Sequence, residues 1–192
     1  MLAFTRLTSI LLFVLSLGFL VSALPTTESK ALAARHASDD LLGLIVDLKA
    51  KVDVDVKAIV AVDVVADLAV KLEVLVADVT ACAQAVLAIG ANIDIDASVK
   101  AQVVLQVAAI ISVIVKLCVD LVAKFGLLVV IGLLVKIDVC LHLLLVNLQV
   151  CVVGIISLIV DAVVKLGLSL DVFASVHLGL CINLLGLVGI SL

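Results

Sequence analysis

Five cysteines are the residues of this sequence with the clearest capacity for chemistry. They are Cys82, Cys118, Cys140, Cys151 and Cys181. Thiols of an exported chain are expected to oxidise, so an odd number predicts two disulfides and one unpaired thiol. The unpaired thiol would be buried as a small hydrophobe or would link two chains. Cys140 and Cys151 would lie about 16 Å apart along a straight helix, so each would need a bridging partner on another helix.

A metal site is the alternative use of these thiols. His177 and Cys181 are spaced as ligands on one helical face would be, and Cys140 is close to His142 in sequence. However, Cys140 and His142 would point about 160° apart on a helix, and no Cys-x-x-Cys pair is present. We therefore predict no metal ligands. His36 is expected to be exposed, and His142 and His177 to lie on polar stripes or in a satisfied core.

Two pairs of neighbouring carboxylates, Asp53 with Asp55 and Asp94 with Asp96, are the remaining candidates for acid–base chemistry. They lie in charged segments that are expected to be solvated, whereas a catalytic pair needs a cleft and further partners. The sequence also lacks a G-x-S-x-G, a phosphate-binding loop and an H-E-x-x-H motif. It therefore predicts a protein that is not an enzyme, with no catalytic residue and no cofactor.

Residues 1–23 are typical of a secretory signal peptide. One arginine precedes an apolar run from Ile10 to Leu20, and small residues follow at the predicted cleavage site. An uncleaved anchor is the alternative, but the run is shorter than a full membrane span. After cleavage we predict a flexible polar leader over 24–37, which holds the only proline, and a single helical domain over 38–192.

The composition is unusually apolar. Hydrophobic residues make up 66% of the chain and aromatic residues 3%, with neither Trp nor Tyr, whereas globular proteins are about 45–50% apolar. The net charge is -4 and the basic residues form no cluster, which argues against nucleic acid and anionic lipid headgroups as partners. The absence of Trp and Tyr also removes the usual stacking platforms for sugars and bases.

Apolar residues recur with helical spacing along most of the chain. One helix is expected from an N-cap at Ser38 to Gly90, although the alternation of "KVDVDVK" at 51–57 would also suit a strand. The segment 90–98 is the clearest boundary, and the next helix is expected to end near Gly126. Polar residues share one face of that second helix. They are Gln102, Gln106, Lys116, Asp120 and Lys124.

The stretch 136–165 raises the question of a membrane span. Between Asp138 and Asp161 it has no charged residue, and as a helix this part would reach about 33 Å, enough to cross a bilayer. Two polar stripes argue against a lipid-facing helix. They are Lys136, Asn147, Ser157, Asp161 and Lys165 on one side, and Asp138, His142 and Gln149 on another. We therefore predict two helices with a break near Gly154 and with both stripes facing water.

These segments together predict an all-α, compact bundle of four or five amphipathic to apolar helices, stabilised by disulfides. The tail 172–192 is expected to be a terminal core helix, and 139–160 and 172–192 remain alternative membrane anchors. The apolar arcs are wider than the arc of about 100° that a surface helix normally hides. Apolar surface should therefore be left over for another copy, a lipid or a hydrophobic wall.

The whole architecture resembles the small secreted hyphal-surface proteins of mushroom-forming fungi. The shared features are a signal peptide, a charged first half, an apolar cysteine-bearing second half and very few aromatics. The resemblance implies a structural, surface-active protein of a cell wall or extracellular matrix that acts by self-association and adhesion. The alternatives are a secreted lipid-binding bundle, with acyl chains between the faces of 101–125 and 127–160, and a membrane-anchored protein.

Overall fold

The computed structural model describes residues 26–186, with side chains from residue 36 onward. This part of the chain forms seven α-helices and no strand. They are α1 (Thr26–Val60), α2 (Val65–Ile89), α3 (Ala97–Phe125), α4 (Leu127–Cys151), α5 (Ile155–Lys165), α6 (Leu170–Ser175) and α7 (Gly179–Leu185). The all-α prediction is confirmed, and the stretch 51–57 is helical. The predicted signal peptide, residues 1–23, lies outside the described residues and stays a prediction.

Glycines mark the helix boundaries that the sequence predicted. α2 ends before Gly90, α3 ends before Gly126, and α5 begins after Gly154. Gly126 is the only residue between α3 and α4, and its φ of 83° is one that glycine adopts without steric cost. Its N–H donates to the carbonyl oxygen of Val122 at 3.0 Å. One residue therefore ends one long helix and starts the next.

The first helix begins earlier than predicted. α1 starts at Thr26, so residues 26–37 are helical, and the prediction of a helix start at Ser38 is wrong. Ser38 is a buried residue inside α1. The described part of the chain divides into two units between Arg35 and His36.

Two further breaks raise the number of helices above the predicted four or five. One is at 61–64, inside a run of valines whose β-branched side chains lower helix propensity. Lys124 stabilises this break, because its ammonium donates to the carbonyl oxygen of Val62 at 2.6 Å and pairs with Asp63 at 2.7 Å. The other break divides the predicted terminal helix at His177, whose φ is 58°.

The fourth helix is the centre of the bundle. α4 packs against α2, α3, α5 and α7, and its contact with α2 is the most extensive among the helices α2 to α7. The loop between α2 and α3 closes the end of α4. Its backbone N–H groups at Asn92 and Ile93 donate to the carbonyl oxygens of Val150 and Cys151 at 2.9 and 2.8 Å. These bonds satisfy carbonyls that the last turn of a helix leaves free.

The part of α1 from residue 36 onward lies against α2. Lys51 of α1 forms an ion pair of 2.9 Å with Asp78 of α2. The thiol of Cys82 donates to the carbonyl oxygen of Leu44 at 3.7 Å. Between these polar contacts the side chains of α1 that face the bundle are fully buried, as at Ile45.

The prediction that disulfides stabilise the bundle is wrong. All five cysteines are free thiols, and none is more than 8% exposed. They occupy core positions, where a thiol packs as a small apolar side chain. A single buried cluster of mainly Leu, Val and Ile extends over all seven helices. Burial of apolar surface, rather than cross-linking, therefore holds these helices together.

Candidate functional site

Exposed apolar residues form a stripe along the first half of α4. The α4 stripe consists of Leu128, Ile131, Val135 and Val139, whose spacing of three and four residues puts them on one helical face. All four are exposed, and Leu128 shows 90% of its surface to solvent. The stripe is about 16 Å long at 1.5 Å per residue. An exposed apolar stripe of this kind is a candidate site of interaction.

Neither charged residue of α4 leaves an unpaired charge beside this stripe. Lys136 forms an ion pair of 3.0 Å with Glu73 of α2. Asp138 is buried, on the side of the helix that faces the core. The outward face of the first half of α4 is therefore apolar, and the one lysine of this helix is already engaged.

A second apolar feature is a groove of about 540 Å³ between α3 and α5. Five of its twelve lining residues are alanines, and because their side chains are short they leave space between the two helices. These are Ala97, Ala101, Ala108, Ala109 and Ala162. Leu105, Leu158 and Leu166 also line the groove, and all three are exposed large apolar side chains.

Three charged residues contribute to the lining of this groove. Lys100 is engaged, because its ammonium donates to the carbonyl oxygen of Val153 at 2.8 Å. Asp161 and Lys165 are exposed and one helical turn apart on α5. Neither forms a hydrogen bond or ion pair within residues 36–186. Lys165 is thus a free cation at a groove whose other lining residues are apolar except for Lys100 and Asp161.

Burial controls the chemistry of the predicted cysteine sites. It raises the pKa of Cys82 to about 11 and the pKa values of Cys118 and Cys140 to about 12. Burial also raises the pKa values of Cys151 and Cys181. The thiolate is the reactive form of cysteine, so these shifts leave little reactive thiolate at neutral pH.

Two residues predicted to face water are instead buried in α4. The carboxylate of Asp138 accepts hydrogen bonds from the backbone N–H groups of Leu180 at 2.8 Å and Cys181 at 3.0 Å. The amide of Asn147 donates to the carbonyl oxygen of Ala83 in α2 at 2.7 Å. The prediction of two water-facing stripes is therefore wrong at these positions, because a partner helix supplies the polar contact that water was expected to make.

Most other polar stripe residues do face solvent. The exposed members are Gln102, Lys116, Asp120 and Lys124 in α3, and Lys136, Gln149, Ser157, Asp161 and Lys165 farther along the chain. Gln106 and His142 are half-buried. The stripe of α3 is therefore confirmed in the main, and the stripes of the following segment are confirmed only in part.

The three histidines lie apart from one another. His36 and His177 are exposed. His142 is half-buried, and its Nδ1 atom has no hydrogen-bond partner among residues 36–186. Within the same residues, no group of three or more His, Cys, Asp or Glu side chains could hold a metal ion.

The two carboxylate pairs noted in the sequence occupy different surroundings in the fold. Asp53 pairs with Lys49 of its own helix at 2.7 Å, and Asp94 and Asp96 are exposed in the loop before α3. Asp55 instead faces Asp78 of α2. Burial and the neighbouring Asp78 carboxyl raise the pKa of Asp55, so this pair is an electrostatic contact between two helices.

Three of the described helices, α2, α3 and α4, are long and apolar enough to cross a membrane by length and composition. The two segments considered as anchors from the sequence are not continuous helices. The first, 139–160, is interrupted between Cys151 and Ile155. The described part of 172–192 is divided between the short helices α6 and α7, whereas a span requires about 20 consecutive helical residues. Residues 187–192 lie outside the described part.

No protein-family model and no curated protein matches this chain. Its function is therefore inferred from the two apolar features described above, the α4 stripe and the groove between α3 and α5.

Proposed function

We propose that this chain is a secreted structural protein that coats hydrophobic surfaces and associates with itself in a cell wall or extracellular matrix, without catalysing a reaction. The α4 stripe is the observation that carries the proposal. Adsorption to an apolar surface, or to the same stripe of a second copy, removes these side chains from water. The resemblance to fungal hyphal-surface proteins agrees with this role.

Because the C-terminal segment packs into the core, we assign adsorption to α4 rather than to the tail. Within the described part of the tail, Phe173, Val176 and Leu178 are buried in the core and are unable to contact an external surface while the bundle is folded. Among the large apolar residues of that part, Leu180 alone is exposed. The α4 stripe is exposed in the folded bundle, so adsorption needs no unfolding.

The test is adsorption of the purified chain to a methyl-terminated surface, measured by mass uptake on a quartz crystal. In the variant Leu128→Gln/Val135→Gln, each substitution replaces an exposed apolar side chain with a polar one. Partial burial of two such side chains stabilises adsorption by about 2 kcal/mol, so we expect the adsorption constant to fall roughly 30-fold. Sedimentation of the same variant should show less self-association.

A matched control is Val54→Gln/Val70→Gln, which removes two exposed valines from α1 and α2. This control should adsorb like the unmodified chain, and both variants should retain the helical circular dichroism of the bundle. Equal loss in the two variants would contradict a role for the α4 stripe. Recovery of the protein from producer cells only with detergent would contradict secretion and favour a membrane protein.

A further inference from the structure

We propose that the groove between α3 and α5 binds one long-chain fatty acid, with its alkyl chain along the alanines of α3 and its carboxylate at Lys165. This is a site distinct from the α4 stripe and does not depend on surface coating. It overlaps the lipid-binding arrangement predicted from the sequence between 101–125 and 127–160, but its second wall is α5 alone, from Leu158 to Lys165, and Leu166 just after it.

The size and shape of the groove fit a single alkyl chain. Its volume of about 540 Å³ is within the range of about 300–1,000 Å³ that is usual for small-molecule sites. The lining runs along α3 from Ala97 to Ala109, which is about 18 Å at 1.5 Å per residue. A narrow site of this length suits a linear chain better than a compact ring system.

The lining of the groove has few groups that can form hydrogen bonds with water. Apart from its three charged residues, every side chain that lines it is Ala, Val or Leu. Water in such a space lacks the polar partners that make an ordered position favourable. The exposed side chains of Leu105, Leu158 and Leu166 also flank the groove, and an alkyl chain lying between them would remove apolar surface of both partners from water.

The charged residues of the groove favour a ligand with an anionic head group. Lys100 and Lys165 contribute two cations and Asp161 one anion, so the site carries a net positive charge in an acidic protein. Lys100 is held by the carbonyl oxygen of Val153, which leaves Lys165 as the free donor. A carboxylate at Lys165, on the side away from Asp161, completes an ion pair that the protein itself does not supply.

The first experiment titrates the delipidated full chain with palmitate and measures binding by calorimetry. The same titration is repeated on a variant that fills the groove and on a control variant. We expect one palmitate per chain. Ala101→Trp places an indole in the groove from an exposed position of α3 and should weaken binding at least about tenfold. Ala123→Trp makes the same change at an exposed position near the other end of α3 and should leave binding unchanged. Equal binding by both variants would overturn the proposal, because palmitate would then lie elsewhere.

The second experiment tests the head group, with methyl palmitate as the uncharged probe. Lys165→Gln should weaken palmitate binding about fivefold, the scale of one exposed ion pair, and should leave methyl palmitate binding unchanged. Lys116→Gln, which removes an exposed lysine outside the groove, should affect neither probe. Unchanged palmitate affinity in Lys165→Gln would overturn the assignment of the carboxylate. Adsorption of all four variants to the methyl-terminated surface should stay normal, so failure here is distinguishable from failure of the surface-coating role.

Discussion

The Oδ1 atom of Asp138 lies 3.0 Å from the backbone nitrogen of Cys181, so a carboxylate in the middle of α4 caps the start of α7. The Oδ2 atom of the same carboxylate accepts the N–H of Leu180 at 2.8 Å. The first N–H groups of a helix have no partner inside it and carry partial positive charge. A buried anion at this point therefore fixes the last described helix to the centre of the bundle.

Replacing Asp138 with Asn should destabilise the protein strongly. The side chain keeps its shape, but one acceptor oxygen becomes an NH₂ group that faces a backbone donor. We expect a loss of about 1.5–3 kcal/mol in the free energy of unfolding, as for a hydrogen-bonded charged group. Urea denaturation of Asp138→Asn measures this loss. Asp120→Asn, on the exposed face of α3, should stay within about 0.5 kcal/mol of the unmodified chain, and an equal effect of the two variants would disprove the capping role.

Asn147 joins α4 to α2 through one buried hydrogen bond, which its side-chain amide donates to the carbonyl oxygen of Ala83. In Asn147→Ala this carbonyl loses the bond from α4 and keeps only the one it can accept within its own helix, so we expect a loss of about 0.5–1.5 kcal/mol. Thermal unfolding followed by circular dichroism measures the change. Gln149→Ala alters an exposed amide two residues away and serves as the control. If Gln149→Ala destabilised the chain as much as Asn147→Ala, the hydrogen bond to Ala83 would not be the cause.

The five thiols should resist modification in the native protein. Burial raises the pKa values of all of them, to about 11 for Cys82 and about 12 for Cys118, so little thiolate is present near pH 8. We expect no alkylation by iodoacetamide in native buffer and five alkylations in denaturant without reductant, both counted by intact mass. Cys82, the most exposed of the five, should react first as denaturant is added. Fewer than five alkylations in denaturant would mean that disulfides form after all.

The contact between Asp55 and Asp78 should make stability fall as the pH rises. The pKa of Asp55 is raised above its ordinary value of 3.8 by burial and by Asp78, so the folded state holds its proton more tightly than the unfolded state. The stabilisation is complete below pH 3.8 and is lost as the pH rises through the raised pKa. At neutral pH, Asp55→Asn should therefore be more stable than the unmodified chain, by less than about 1 kcal/mol.

The urea midpoint as a function of pH measures this effect. The advantage of Asp55→Asn should disappear in acid, where Asp55 of the unmodified chain is itself protonated. Asp94→Asn, in the exposed loop before α3, should show the same pH profile as the unmodified chain. An advantage for Asp55→Asn that persisted unchanged in acid would mean that ionisation of Asp55 is not the cause.

Helix boundaries were the most predictable part of this fold. Gly90, Gly126 and Gly154 end or begin helices as expected, because glycine adopts backbone angles that other residues avoid. The break at His177 was not predictable in the same way, because a histidine with positive φ carries no sequence signal. The split of the first predicted helix at 61–64 likewise depends on Lys124, a residue distant in sequence that satisfies the freed carbonyl of Val62.

The polar interior and the groove were not predictable from periodicity. A helical period shows which residues share a face, but the buried face is chosen by the helices that dock on it. In the sequence, Asp138 and Asn147 have the pattern of surface residues. In the fold they are buried, because α7 and α2 provide their hydrogen-bond partners. The alanines of α3 look like ordinary helix formers, and only the position of α5 shows that Ala101 and Ala108 border a space.

The extensive contact of α2 with α4 affects how long the nascent chain exposes apolar surface during synthesis. These two helices are separated in sequence by the whole of α3. A ribosome that adds about 5–20 residues per second completes α4 seconds after it has finished α2. Throughout that interval the side of α2 that α4 will cover has no partner, and it is open to aggregation unless a chaperone or the export machinery shields it. The order of synthesis therefore sets the moment at which this molecule is most vulnerable.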